Sequence, residues 1–199
     1  MAKTVDFYFD VGSPAAYLAW HRLPRICDDA GATLAYKPML LGGVFQAAAN
    51  QSPMNIPAKG RYIMADLERF ARRDRIPFSH NPHFPINTLT LMRMATGVQM
   101  KDEARMVPLV DAVFRAIWVE GRNMNDAGVV ADVLREAGFE PAALLAMAND
   151  PAVKERLKAQ TQEAVARGVF GAPTFFVGAH MYWGQDRLDF VREALESNV

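Results

Sequence analysis

The sequence predicts an α/β fold: a four-stranded sheet assembled from βαβ and ββα halves, separated by a large all-α insertion. Three observations carry this reading. The chain opens with a short aromatic and β-branched run that breaks at a glycine and passes directly into a helix start. From Gly60 to about Arg167 the apolar residues recur with helical spacing. After Gly168 the chain returns to two β-prone runs and one amphipathic segment.

Taken in order, Thr4 to Asp10 (Thr-Val-Asp-Phe-Tyr-Phe-Asp) reads as a buried strand. Gly12 breaks it, and Ser13-Pro14 follows: serine is a favoured N-cap, and proline suits the first helical position, where its missing N–H would be unpaired anyway. The helix from Pro14 carries Ala16, Trp20, Leu23 and Cys27 on one face and Arg22, Arg25, Asp28 and Asp29 elsewhere. Pro24 inside it predicts a kink. Gly31 ends the helix, and Thr33 to Lys37 forms a second strand, parallel to the first. In the middle, Ile63, Leu67, Phe70 and Ala71 make the apolar face of a helix, and Arg61, Glu68, Arg69, Arg72 and Arg73 make its solvated face. Further helices are predicted at Asn87–Thr96, Lys101–Glu120, Asp126–Ala137, Pro141–Ala148, and from Asp150-Pro151 to a stop at Gly168. The Met-rich stretch Leu91-Met92-Arg93-Met94 reads as core filler. Pro173 to Val177, a Gly178-Ala179 turn and His180 to Trp183 read as a hairpin, with Asp186 as N-cap of a last helix through Leu188, Val191 and Leu195. The sheet domain is thus expected in two pieces, 1–42 and 168–199, around a helical insertion at 43–167.

Composition excludes several function classes. The 22 basic and 22 acidic side chains cancel, so no nucleic-acid partner is expected. No apolar run approaches the roughly 18 residues of a membrane helix, and Asp6 and Asp10 interrupt any signal-peptide core, so a cytoplasmic protein is expected, with no membrane partner. One cysteine, Cys27, permits neither an intramolecular disulfide nor a Cys-x-x-Cys pair. His21, His80, His83 and His180 lack the spacing of a helical metal site. His80 and His83 lie in a Pro-rich run read as a solvated loop, so no metal is expected.

Two features remain that could carry chemistry: Ser13-Pro14-Ala15-Ala16 at a helix start, and Phe170-Gly171-Ala172-Pro173-Thr174 entering a strand. Alone, the first is an ordinary N-cap, and the second an ordinary X-Pro bond, cis in only about 5–6% of cases. Together, in this strand order, they match the thioredoxin superfamily, in which a cis-proline loop lies beside a reactive helix N-terminus. Over essentially its full length the chain resembles the 2-hydroxychromene-2-carboxylate isomerases and the related kappa-class glutathione transferases. The matching blocks are Phe9 to Ala19, Lys37 to Gly43, Asn55 to Tyr62, Phe84 to Thr88, Gly168 to Val177 and Trp183 to Arg187.

The resemblance implies glutathione as the bound thiol, with Ser13 where the disulfide oxidoreductases of this fold carry their first cysteine. It implies backbone hydrogen bonds from Ala172 and Pro173 to the tripeptide, a glutamyl subsite at Trp183, Gly184, Gln185 and Asp186, and a homodimer. A free thiol with a pKa near 8.5 is only about 3% thiolate at pH 7. A hydroxyl donor, backbone N–H groups and a helix N-terminus all favour the anion. Ser13 then acts as a hydrogen-bond donor to sulfur rather than as a covalent nucleophile. The implied reaction is isomerisation of a small aromatic-derived carboxylate, of the 2-hydroxychromene-2-carboxylate to trans-o-hydroxybenzylidenepyruvate type, through thiolate addition, bond rotation and elimination. Lys59, Asn55 and Asn87 are the candidate donors to the carboxylate, with Phe84 and Pro85 beside them, and Lys37 and His21 as outer candidates. Asn55 and Asn87 equally suit turn and helix-cap roles. Gly12 and Ala15 stand where the family often has bulkier residues, which predicts a wider pocket. A kappa-like transferase or peroxidase, and a non-catalytic thioredoxin-like binding module, are the alternatives. Disulfide exchange is set aside because Ser13 and Ala16 occupy the two places where it needs sulfur.

Overall fold

The computed structural model describes residues 2–197. Strand β1 (Thr4–Phe9) leads into helix α1 (Pro14–Asp29) and strand β2 (Thr33–Pro38). Seven helices follow: α2 (Leu41–Ala47), α3 (Pro57–Asp74), α4 (Leu89–Lys101), α5 (Glu103–Trp118), α6 (Ala127–Glu136), α7 (Pro141–Asn149) and α8 (Pro151–Ala166). The hairpin β3 (Thr174–Val177) and β4 (His180–Trp183) and helix α9 (Leu188–Glu196) complete the described chain. The sheet order is β2-β1-β3-β4, with β1 parallel to β2 and antiparallel to β3. This is the βαβ…ββα sheet with a helical insertion that the pattern predicts.

Because β1 and β3 are interior, their side chains are buried on both faces, and alternation sorts them. Phe7, Phe9 and Phe175 face α1 and the insertion, with Phe9 5.2 Å from the Trp20 ring and Phe7 5.2 Å from Phe175. Tyr8 and Phe176 face the other way, toward α8. There the Tyr8 hydroxyl donates to Glu163 Oε1 at 2.8 Å, and the Arg167 guanidinium lies 3.7 Å from the centre of the Phe176 ring while donating to Asp6 at 2.7 Å. One face is thus packed by aromatic contact, the other by a cation on an aromatic ring.

Helix α1, as expected, runs through Pro24, and Tyr17, Trp20, Leu23 and Cys27 are buried along it. Three expectations are corrected. Helix α2 has no counterpart in the sequence pattern, since Gly42 and Gly43 weaken any helical signal. Tertiary contacts supply what propensity lacks: a Cβ on Gly43 would lie 3.3 Å from Thr161 Cγ2, and the Leu41 N–H is bonded by the distant Asp10 carboxylate at 2.8 Å. Helix α4 starts at Leu89 and passes Thr96, where Gly97 permits close approach to α7; a Cβ there would collide with the Met147 side chain. Asp186 does not cap the last helix. It lies inside a short 3-10 turn, Gln185–Arg187, and α9 begins at Leu188 without a side-chain cap. The backbone of Gly184, at φ +103°, turns the chain so that Gln185 goes inward and Asp186 Oδ1 rests against Gly184.

Candidate active site

Ser13 caps α1 as predicted, its Oγ accepting from the Ala16 N–H at 3.1 Å. The same hydroxyl donates to the Ala172 carbonyl at 2.9 Å, so residues 159 positions apart meet at one atom. Ser13 is only 5% exposed. The Ala172–Pro173 peptide bond is cis. Behind it the Thr174 hydroxyl donates to the Gly171 carbonyl at 2.8 Å, and the Pro173 carbonyl accepts from the Gly184 N–H at 3.0 Å. The two sequence motifs therefore form one seam, in which a buried hydroxyl and a main-chain carbonyl face each other at a helix N-terminus. A hydroxyl can turn its proton to an incoming anion while keeping its acceptor role toward the Ala16 N–H, and the freed carbonyl can take an N–H from the same ligand.

The loop before Ser13 is held from all sides. The Val11 N–H points to Met92 Sδ at 3.4 Å, and Trp118 Nε1 donates to the Val11 carbonyl at 2.9 Å. Met92 is thus more than core filler. Gly12 donates its N–H to Asp10 Oδ1 at 2.9 Å, and a Cβ on Gly12 would stand 3.0 Å from Thr88 Cγ2. The space expected beside Gly12 is therefore filled by Thr88, and the wider pocket predicted from this glycine is not present. Asp10 is fully buried, and burial raises its pKa against the pull of its hydrogen-bond donors.

The predicted glutamyl subsite divides in two. Trp183 is half exposed, its indole covering Gly171 and lying 4.9 Å from the Phe170 ring. Gly184 is tied to Pro173, and the Asp186 carboxylate is partly exposed, with Arg187 at 3.5 Å. Gln185 is buried and already engaged: Arg22 donates to its backbone carbonyl at 2.9 Å and to its Oε1 at 2.8 Å, while also bridging Asp74 at 3.0 Å. Its side chain clamps the turn to α1 and is spoken for.

The candidate acceptor residues are more dispersed. Asn55 ends a short 3-10 turn and is exposed, its Nδ2 donating to Gln51 at 3.3 Å. Lys59 is exposed in the first turn of α3, with no ion pair among the described residues. Phe84 is half-buried against the fully buried Trp118, ring centres 5.7 Å apart, and the Phe84–Pro85 bond is also cis. Asn87 is exposed; its Oδ1 accepts from the Leu89 N–H at 3.1 Å, a turn made one residue before the N-cap of α4, which is Thr88. Lys37 lies 3.9 Å from Asp6 on the far side of the sheet, and the His21 ring packs edge-on against Tyr17. Cys27 is buried, its thiol pushed up to about 11, which removes it from thiolate chemistry. Among the described residues no group of three or more His, Cys, Asp or Glu side chains could hold a metal, and no helix is long and apolar enough to cross a membrane.

Sequence reasoning missed Asp10, Thr88, Trp118 and Arg22. Only Asp10 carried a signal, as an acid ending a strand otherwise built for burial.

Comparison with known proteins agrees with this fold. The family pattern of the DsbA-like thioredoxin domain matches residues 4–196. The 2-hydroxychromene-2-carboxylate isomerase of Pseudomonas putida is 37% identical over 194 residues, covering 96% of this chain and 93% of that protein. A solved structure of a 2-hydroxychromene-2-carboxylate isomerase superposes with a TM-score of 0.84 at 35% identity, covering 96% of this chain and 94% of the other. Human glutathione S-transferase kappa 1 is 25% identical, with 98% and 92% coverage. The chain belongs to the DsbA-like thioredoxin domain family and, within it, to the family of the 2-hydroxychromene-2-carboxylate isomerases.

Proposed function

We propose that this member of the isomerase family is a glutathione-dependent isomerase of an aromatic-derived carboxylate, of the 2-hydroxychromene-2-carboxylate type. The observation that carries the reading is the Ser13 hydroxyl at the start of α1, buried and 2.9 Å from the Ala172 carbonyl. When bound, glutathione supplies a thiolate, a nucleophile able to add reversibly to a conjugated double bond so that the bond can rotate.

The donor set fits such a ligand. Ser13 offers a hydroxyl proton to sulfur, in a site where a charge-assisted hydrogen bond contributes about 1.5–3 kcal/mol. The first turn of α1 adds its dipole, which favours an anion. Ala172 offers a carbonyl that needs a new N–H once Ser13 turns away. Trp183 and Asp186 are available for the glutamyl end, with Asp186 suited to an ammonium group; Gly184 holds the backbone of that turn, and Gln185 holds it to α1. Lys59, Asn55 and Asn87 are read as donors to the substrate carboxylate, and Phe84 and Pro85 as apolar contacts to the same substrate.

The test is the ultraviolet difference spectrum of the protein with glutathione near neutral pH, with Ser13→Ala alongside. The expected result is a saturable thiolate absorbance in the unaltered protein and, in the variant, a bound thiol whose pKa is raised by about one to two units, the equivalent of one lost charge-assisted bond. Absence of binding and of signal in the unaltered protein would overturn the reading and leave a peptide-binding module. The kinship with the kappa-class transferases favours one second reading, a transferase with the same thiolate site. Conjugation of a halogenated aromatic without isomerisation of the chromene carboxylate would select it.

A further inference from the structure

The most deeply buried charged side chain near the seam is Asp10, at 1% exposure, and the thiolate chemistry above makes no use of it. Three donors from three separate segments converge on its carboxylate. Oδ1 accepts from the Gly12 N–H at 2.9 Å; Oδ2 accepts from the Leu41 N–H at 2.8 Å and from the Thr88 hydroxyl at 3.1 Å. Its own main-chain carbonyl accepts from the Ser13 N–H at 3.0 Å. Gly12 and Ser13 are the loop that presents the serine, Leu41 is the first residue of α2, and Thr88 immediately precedes α4. Neither helix start has a side-chain cap of its own. Thr88 also fills the space over Gly12.

We propose that Asp10 is a positioning residue for the thiolate site, fixing the loop that carries Ser13 and the first turns of α2 and α4 to a single buried point. A loop of this kind has no regular hydrogen-bond ladder to hold it, and a donor must sit within a few tenths of an ångström of its anion to be effective. Asp10 supplies that rigidity with bonds to groups that would otherwise be unpaired in an apolar interior. The assignment rests on the glutathione reading of Ser13, since it is the sulfur that Ser13 must meet.

The sign of the effect separates this role from a simple charge effect. A negative charge near a thiolate disfavours it, so removing that charge by Asp10→Asn would by itself increase the thiolate fraction. Loss of positioning does the opposite. The carboxamide that Asp10→Asn introduces cannot accept from all three donors, because one of its two ends is itself a donor. The loop loosens and the Ser13 hydroxyl is less well aimed.

The experiment measures glutathione affinity by calorimetry and thiolate absorbance near neutral pH, for the unaltered protein, Asp10→Asn, Thr88→Val and Thr88→Ser, with a thermal melt of each. The expected outcome is a thiolate-to-thiol ratio about tenfold lower in Asp10→Asn, one pKa unit in the direction opposite to the charge effect. Thr88→Val keeps the shape and removes one donor, and should show a drop of about threefold; Thr88→Ser keeps the donor and should restore most of the signal. A folded Asp10→Asn protein with a thiolate signal equal to or above the unaltered one overturns the proposal and leaves the glutathione reading standing. Should Asp10→Asn fail to fold, the threonine pair decides: equal signals in Thr88→Val and the unaltered protein overturn it. Absence of signal in the unaltered protein removes the glutathione reading first, and the proposal with it.

Discussion

The seam around Ser13 and the surface around Asn55 and Lys59 are built in opposite ways, although both are read as parts of one site. At the seam the polar groups are buried or half-buried, and each partner comes from a distant part of the chain or from the same tightly held loop: Ser13 with Ala172, Pro173 with Gly184, Gly12 with Asp10. At the acceptor side Asn55 and Lys59 are exposed, and among the described residues the Asn55 side chain is paired with Gln51, four residues before it. The contrast follows from what each task requires. Favouring an anion needs fixed donors in a poorly hydrated site, so that part must be rigid before the ligand arrives. Receiving a carboxylate that arrives from water needs only reachable donors, which a lysine on a long stem supplies. On this reading changes at the seam affect folding and thiolate together, whereas changes at the exposed side affect only the acceptor.

The largest effect is expected at Gly184. Its φ of +103° and ψ of 145° belong to a region essentially reserved for glycine, and a Cβ would stand 2.5 Å from Asp186 Oδ1. Gly184→Ala should cost about 1–3 kcal/mol in a denaturant melt and weaken glutathione binding as Pro173 shifts. Adding Asp186→Ala should relieve the clash but not the backbone strain, so only part of the stability should return. A Gly184→Ala protein that melts and binds like the unaltered one would erase the contrast, because the seam would then not be rigid.

A smaller and more selective effect is expected at Lys59. Lys59→Met keeps the stem and removes the charge at an exposed position, so the melt should move by no more than about 0.5 kcal/mol. Steady-state kinetics with the carboxylate substrate should show KM raised about tenfold, the scale of one charged hydrogen bond, with the glutathione thiolate signal unchanged. An unchanged KM would remove Lys59 from the acceptor side. Asn55→Ala is expected to be smallest, raising KM about threefold in the same assay, because a single exposed neutral hydrogen bond contributes about 0.5–1 kcal/mol. An Asn55 effect larger than that of Lys59 would reverse the assignment of the principal donor.

Much of this architecture was legible in the sequence because it rests on local rules. The Ser13-Pro14 start, the β-prone Phe7-Tyr8-Phe9 run and the Phe175-Phe176 strand follow from capping, fixed proline geometry and the β-propensity of short aromatic and β-branched runs. The helical periodicity between Gly60 and Arg167 follows from the same kind of rule. Where reading failed, a contact distant in sequence overrode a local preference. Gly42 and Gly43 look like a loop, yet α2 forms because Thr161 fits against Gly43 and Asp10 holds the Leu41 N–H. Asp186 looks like a cap, but the turn at Gly184 and the Arg22 clamp on Gln185 take that segment into a 3-10 turn. Gly12 looks like open space, and Thr88, far along the chain, occupies it.

The same division runs through the candidate site. The chemical kinds present could be read from the chain alone: a hydroxyl at a helix start, an Ala-Pro entering a strand, and no second cysteine for redox exchange. Those are statements about residue type and near-neighbour spacing, which the chain carries openly. It took the packed molecule to bring the hydroxyl to the Ala172 carbonyl, to spend Gln185 on Arg22, and to gather Gly12, Leu41 and Thr88 around a buried aspartate. The reason is physical. A hydrogen bond constrains geometry to tenths of an ångström, and between residues that far apart that geometry exists only once the sheet, α1 and the insertion have packed together.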